Sequence, residues 1–167
     1  MSDGAPPPEE PGPPVEDRND IGATAGLGSR FGARLIDGLI VGVGVAILVF
    51  VLPGIEPRDP LGNALSSVVY LTYFVCLEGT TGVTPGKRLL NLRVVPEAGT
   101  LSFERAFRRN WWGGLGILGA VPLAILGVLA LLASLVAVIS IAITIARDDR
   151  DQGWHDDLAS TLVVRTA

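Results

Sequence analysis

The segment SRFGARLIDGLI places Arg30, Arg34 and Asp37 at the start of a run that is otherwise apolar. On a helix, positions 30 and 37 differ by about 20° around the axis and lie roughly 10 Å apart along it. They share a face, with room for a third group between them. Arg34 is three residues from Asp37 and close enough to pair with it directly. Two chemistries suit such a set. One is an ion-pair clasp in which arginine holds aspartate. The other is a cation or proton site in which the carboxylates bind the ion and the arginine tunes their charge. An aspartate at the centre of a span costs about 2.5 to 3.5 kcal/mol and less near the ends. Asp37 lies within a turn or so of the expected interface, and Arg30 can snorkel to headgroups.

Further along, GTTGVTPGKR spans residues 79–88 and resembles a phosphate-binding loop only superficially. Three residues, not four, separate Gly82 from Gly86, Arg88 stands where a magnesium-binding Ser or Thr belongs, and Pro85 lacks an N–H. His155 is the only histidine, without a second histidine or cysteine nearby, so no metal is expected. No nucleophile, paired-carboxylate or cofactor motif appears. The sequence reads as a non-enzyme without a cofactor, and no nucleic-acid partner is expected.

These groups need elements to position them. Of 167 residues, 49% are hydrophobic and 18% charged, in long apolar runs: 38–55, 61–77 and the 32 residues of Leu115–Ala146. Stretches of about 18 or more such residues predict membrane-spanning helices. A single straight helix over the third run would measure about 48 Å against a hydrocarbon core of roughly 30 Å. Gly119, Pro122 and Gly127 offer places to turn, which favours a hairpin. The expected fold is an all-α membrane bundle of four spans, about 31–52, 61–78, 107–126 and 128–146, with three spans as the alternative. Trp111 and Trp112 fall where an interfacial aromatic belt would lie. Cys76 reads as a small buried hydrophobe.

Leu90–Val94 alternates apolar and polar residues, Leu101–Phe103 reads as a returning strand, and Leu162–Val164 is β-prone. If both lie on one side of the membrane, these pieces can pair as a small cytoplasmic sheet. Six bases lie within residues 79–110 and one, Arg58, between the first two spans. That asymmetry places the 79–110 loop and both termini in the cytoplasm. Residues 1–20 carry six acids and one base, leaving 11 acids against 12 bases in the rest. The acidic, Pro-rich stretch 1–27 reads as a disordered tail preceding a membrane domain over 28–167.

Three ordered motifs carry a resemblance to a known family: the Arg30-x6-Asp37 pair, TPGKRLLNLRVV at 84–95 and WHDDLASTLVV at 154–164. Together they resemble the RDD family of small bacterial integral membrane proteins, over about residues 28 to 165. The resemblance assigns the family's arginine to Arg30 and its two aspartates to Asp37 and Asp156, with Arg34, Lys87 and His155 in support. The sequence departs from the pattern at Ser160, where glycine is usual, and at Arg34, usually uncharged or aromatic. The resemblance implies a transport-related protein of the bacterial plasma membrane, with cation/proton exchange as the proposed chemistry. Its expected partners are the lipid bilayer, a small cation or proton, and a second copy or another membrane protein. The alternative is a membrane adaptor that holds a partner through its cytoplasmic loop or tail.

Overall fold

The computed structural model describes residues 22–52, 54, 59–121 and 123–166. Helix α1 (Leu27–Val51) stops just short of Pro53, and Leu52 is already extended at φ −93°, ψ 104°, as a residue preceding proline prefers. Helix α2 (Pro60–Thr80) opens with proline at its first position, where no N–H is missed. Helix α5 (Ala124–Arg147) follows much later in the chain. These three are long and apolar enough to cross a membrane. Their outer faces expose Val43, Ile47 and Phe50 on α1, and Leu131, Leu132 and Val136 on α5. So much contiguous apolar surface suits lipid and not water. Cys76 is on this exposed side, not buried as the sequence suggests.

Between α2 and α5 the chain builds a polar cap. Helix α3 (Pro85–Leu89) is capped by the Thr84 hydroxyl, which accepts from the Lys87 N–H. Strand β1 (Leu92–Pro96) follows. Ser102 caps helix α4 (Phe103–Asn110), so Leu101–Phe103 forms no returning strand. After α5, helix α6 (Trp154–Ala159) leads into strand β2 (Thr161–Arg165), which pairs antiparallel with β1, Val94 opposite Val163. Ser160 makes that junction in the left-handed region at φ 49°, ψ 56°. A position with that geometry favours glycine, which is the physical reason glycine is usual there, and Ser160 adopts it at some cost in strain.

The expected span 128–146 lies within α5, but the span expected over 107–126 is replaced by something different. After α4, Trp111–Ala120 forms a 3₁₀ helix, and α5 begins only at Ala124. The 3₁₀ segment lies antiparallel to α2: a Cβ on Gly113 would collide with Tyr70, on Gly116 with Ser67 and on Gly119 with Asn63. A 3₁₀ helix has three residues per turn, so glycines three apart form one stripe, and that stripe lets two backbones approach. Asn63 Nδ2 donates to Gly116 O at 3.2 Å across the contact. At about 2 Å per residue, ten residues climb roughly 20 Å, more than an α-helix of the same length would. The chain therefore returns along α2 on a stretched segment, and the three long α-helices suffice.

Both chain ends consequently meet at one end of the bundle. Ala25 N donates to Val163 O and Arg165 N to Ala23 O, both at 2.9 Å. Val94 N bonds Gly82 O at 2.8 Å, and Trp154 N bonds Thr144 Oγ1 at 3.2 Å. Residues 22–27, assigned by sequence to the disordered tail, are instead placed: Ala25 is fully buried, and Thr24 bridges Val164. The remainder of the tail, 1–21, lies outside the described residues. Ala25, Ala33, Leu92, Val94 and Val163 form the small core under the sheet.

Candidate functional site

Packed over that core is a cluster of buried charges. Asp156 in the first turn of α6 is fully buried and reaches back to accept from Gly153 N at 3.2 Å. Arg30 Nη1 meets its Oδ2 at 2.5 Å, and Arg109 Nη1 meets its Oδ1 at 2.6 Å. Arg30 Nε also donates to Ala25 O at 2.6 Å. One carboxylate thus ties α1, α4 and α6 together.

Glu78, in the last turn of α2, is the second buried acid. Its Oε1 receives the Lys87 ammonium of α3, and its Oε2 faces Arg109 Nε at 3.2 Å and Asn110 Nδ2 at 2.9 Å. Arg109 therefore bridges Glu78 and Asp156, joining the two acids into one network. Neither Glu78, Arg109 nor Asn110 stood out in the sequence. The available signal was an acid in the last turn of an apolar span, a costly placement that implies a partner.

Asp37 is fully buried but makes no ion pair among the described residues. Its oxygens accept from Tyr73 Oη at 2.8 Å, Thr84 Oγ1 at 2.5 Å and Gly86 N at 2.8 Å. Three donors can hold a buried carboxylate without a counter-ion. The contact demands glycine at 86: a Cβ there would lie 2.2 Å from Ala33 O and 2.9 Å from Asp37 Oδ2. The TPGK stretch that resembles a phosphate loop is thus the segment that docks α3 onto α1.

The expected pairing of Arg34 with Asp37 is absent. Arg34 turns to Asn110 Oδ1, at 3.0 Å from Nη1, and its guanidinium carbon sits 3.7 Å above the Phe74 ring, with Trp112 and Tyr70 at 5.0 and 5.2 Å. The aromatic faces attract the cation where a carboxylate was expected to. Trp112 therefore lies inside the site, not in an interfacial belt. Arg30 and Asp37 share α1 but serve different partners, and no group bridges them.

His155 is buried with Nε2 3.4 Å from Asp156 Oδ1. Burial, reinforced by Arg109, Arg34 and Arg30 and only partly opposed by Asp156, pushes its pKa down to about 3, so the imidazole is neutral at neutral pH. Burial works against the charge of Asp156 as well, but Arg109 and Arg30 outweigh it and hold the carboxyl below its usual range. Burial lowers Lys87 to about 8 despite the opposing pull of Glu78.

The His155 shift has a measurable consequence. An unfolded histidine binds its proton near pH 6.5, while folded His155 does so only near pH 3. Between those values the unfolded chain holds more protons, so stability falls as the pH drops. From pH 6.5 to 4.5 the loss should be about 2 kcal/mol. Melting curves in detergent over that range check it: His155→Gln should flatten the slope, and an unchanged slope would refute the assignment.

Arg30, Arg34, Asp37, Lys87 and His155 all line one cavity of about 260 Å³, closed on the apolar side by residues such as Val138 and Ile145 of α5. Asp156 does not line it. Among the described residues, no group of three or more His, Cys, Asp or Glu side chains is arranged to hold a metal ion.

This architecture was compared with known proteins. A family model described as the RDD family matches residues 24–160, most of the chain. The chain belongs to the RDD family. Comparison with curated proteins and with solved structures returned no match. In this RDD membrane protein Arg30 and Asp156 meet directly, while Asp37 anchors α3.

Proposed function

We propose that this RDD protein is transport-related and moves a small solute along α2 between two cavities. The supporting observation is their shared wall. Tyr70 and Trp112 line both the charged cavity at the sheet end and a second one of about 250 Å³, whose other lining residues include Ser66, Ser67 and Ser134. Serine hydroxyls reach the second, open cavity, charged side chains reach the first, and two aromatic side chains stand between them where a gate would. Orientation follows the bases: with six in residues 79–110 against one, Arg58, between the first two spans, the sheet end faces the cytoplasm of a bacterial plasma membrane.

Cation exchange on Asp37 and Asp156 has less geometric support, because their oxygens are already occupied by Tyr73, Thr84 and Gly86, and by Arg30 and Arg109. Lys87, at about 8, is the basic side chain of the cluster that titrates closest to neutral pH and the natural site for an exchangeable proton.

Proteoliposomes carrying a lumenal pH dye test the reading. Sodium, potassium and phosphate gradients are imposed in turn. One of them should drive proton movement above that of protein-free vesicles, and Trp112→Ala should change its rate at least tenfold. Flux equal to protein-free vesicles under all three gradients would sink it.

A further inference from the structure

The charge balance of the sheet-end cluster does not close. Its buried members are four cations, Arg30, Arg34, Lys87 and Arg109, against three carboxylates, Asp37, Glu78 and Asp156, with Asp151 at the edge acting on Arg30. Arg34 is the cation left over: no carboxylate lies within 4 Å of it among the described residues. Only its Nη1 makes a well-formed hydrogen bond, to Asn110; Nε and Nη2 are buried and have none among the described residues, with the Tyr70 hydroxyl the nearest polar neighbour acting on the guanidinium. Those two atoms share one edge of the planar guanidinium, the edge that grips a carboxylate or phosphate with two parallel bonds. Arg30, one turn earlier on the same face, is about nine-tenths buried and likewise leaves Nη2 unbonded. A buried donor without a partner is costly, and three in one place on two cations are a strong demand for an acceptor.

We infer that the sheet-end cavity is a binding site for an oxyanion, a phosphate or carboxylate group, received by Arg34 with help from Arg30. The rings of Phe74, Tyr70 and Trp112 fix the Arg34 plane, so its donors are oriented before the ligand arrives. Asp37 lines the cavity and would repel an anion, but all three of its hydrogen bonds draw its oxygens towards Tyr73, Thr84 and Gly86. The apolar remainder, Leu27, Phe31, Val138, Ile141 and Ile145, accepts an aliphatic portion of the same ligand. Two sources fit this chemistry: a soluble oxyanion, or the headgroup of an anionic lipid entering between α1 and α5. The inference names the chemical class of the solute proposed above and rests on that reading only for the claim that the bound anion moves.

The test uses the full chain, stripped of lipid in a neutral detergent. Binding is read by tryptophan fluorescence and native mass spectrometry. One arm titrates inorganic phosphate against chloride at constant ionic strength. The other titrates a short-chain phosphatidylglycerol against the phosphatidylcholine of equal chain length. At least one probe should saturate at one per chain, and Arg34→Gln should weaken it tenfold or more. Arg34→Lys keeps the charge, loses the fork, should fall between, and serves where glutamine disturbs folding. Saturation by phosphate identifies a soluble oxyanion, and saturation by phosphatidylglycerol alone identifies a lipid. Absence of saturation by either, or equal binding by a folded Arg34→Gln chain, overturns the site. Binding of phosphate without flux in proteoliposomes removes the transport reading and leaves the site in place.

Discussion

Asp156→Asn should destabilise the protein by about 3–5 kcal/mol, the usual cost of removing one partner from a buried ion pair. Here the substitution strands Arg30 and leaves Arg109 with Glu78 as its one remaining acid. Arg30 and Arg109 are about 9% and 5% exposed at their side chains and lose the carboxylate that both of them hold. Arginine cannot shed its proton to relieve the penalty. The same change weakens the bond that Gly153 N makes to Asp156 and with it the start of α6. Asparagine keeps the shape, so the loss reports charge and not volume. At roughly 2–4 °C per kcal/mol for a chain of this size, the melting temperature in detergent should drop by about 10 °C.

Glu78→Gln should also cost several kcal/mol at pH 6, but with a different signature. It leaves Lys87 and Arg109 facing each other, and Arg109 retains Asp156 while Lys87 retains no acid. Lys87 is already pushed down to about 8 by burial with Glu78 beside it. Without that pull it falls further and can escape its penalty by losing a proton. The unfolded chain keeps an ordinary lysine near 10.5 and binds more protons over the whole interval. Stability of the variant must therefore rise with pH. Melting temperatures from pH 6 to 9 should climb in Glu78→Gln, and Lys87→Met in the same chain should remove both the climb and much of the loss. A flat profile in Glu78→Gln would mean that Lys87 is not the stranded charge.

Apolar run length and the alternation at 90–94 were enough to anticipate long membrane helices and a strand that finds residues 162–164. Those properties are local, set by periods of a few residues. The 3₁₀ return was harder to see, because an apolar segment gives the same hydropathy in either helix. Its trace is glycine at 113, 116 and 119, a period of three instead of 3.6. The sequence singled out Arg30, Asp37 and Asp156, and all three lie in the buried cluster. The site was not legible where a partner comes from a distant element. Arg34 lies three residues from Asp37, yet Phe74 and Asn110 capture it, because Thr84 and Gly86 reach the aspartate first. Glu78, Arg109 and Asn110 meet only through the packing of α2 against α4. Helical spacing predicts neighbours on one helix and says nothing of that encounter.

Arg30 and Asp156 are 126 residues apart in the chain and 2.5 Å apart in space. The account holds that this pair closes the fold by clasping the start of α1 to α6, while ligand chemistry belongs to Arg34. A double-mutant cycle with Arg30→Met and Asp156→Asn, read by unfolding in detergent, measures the clasp directly. The double variant should be more stable than the summed single losses predict, with a coupling energy of at least about 1 kcal/mol. Simple additivity of the two losses would contradict it.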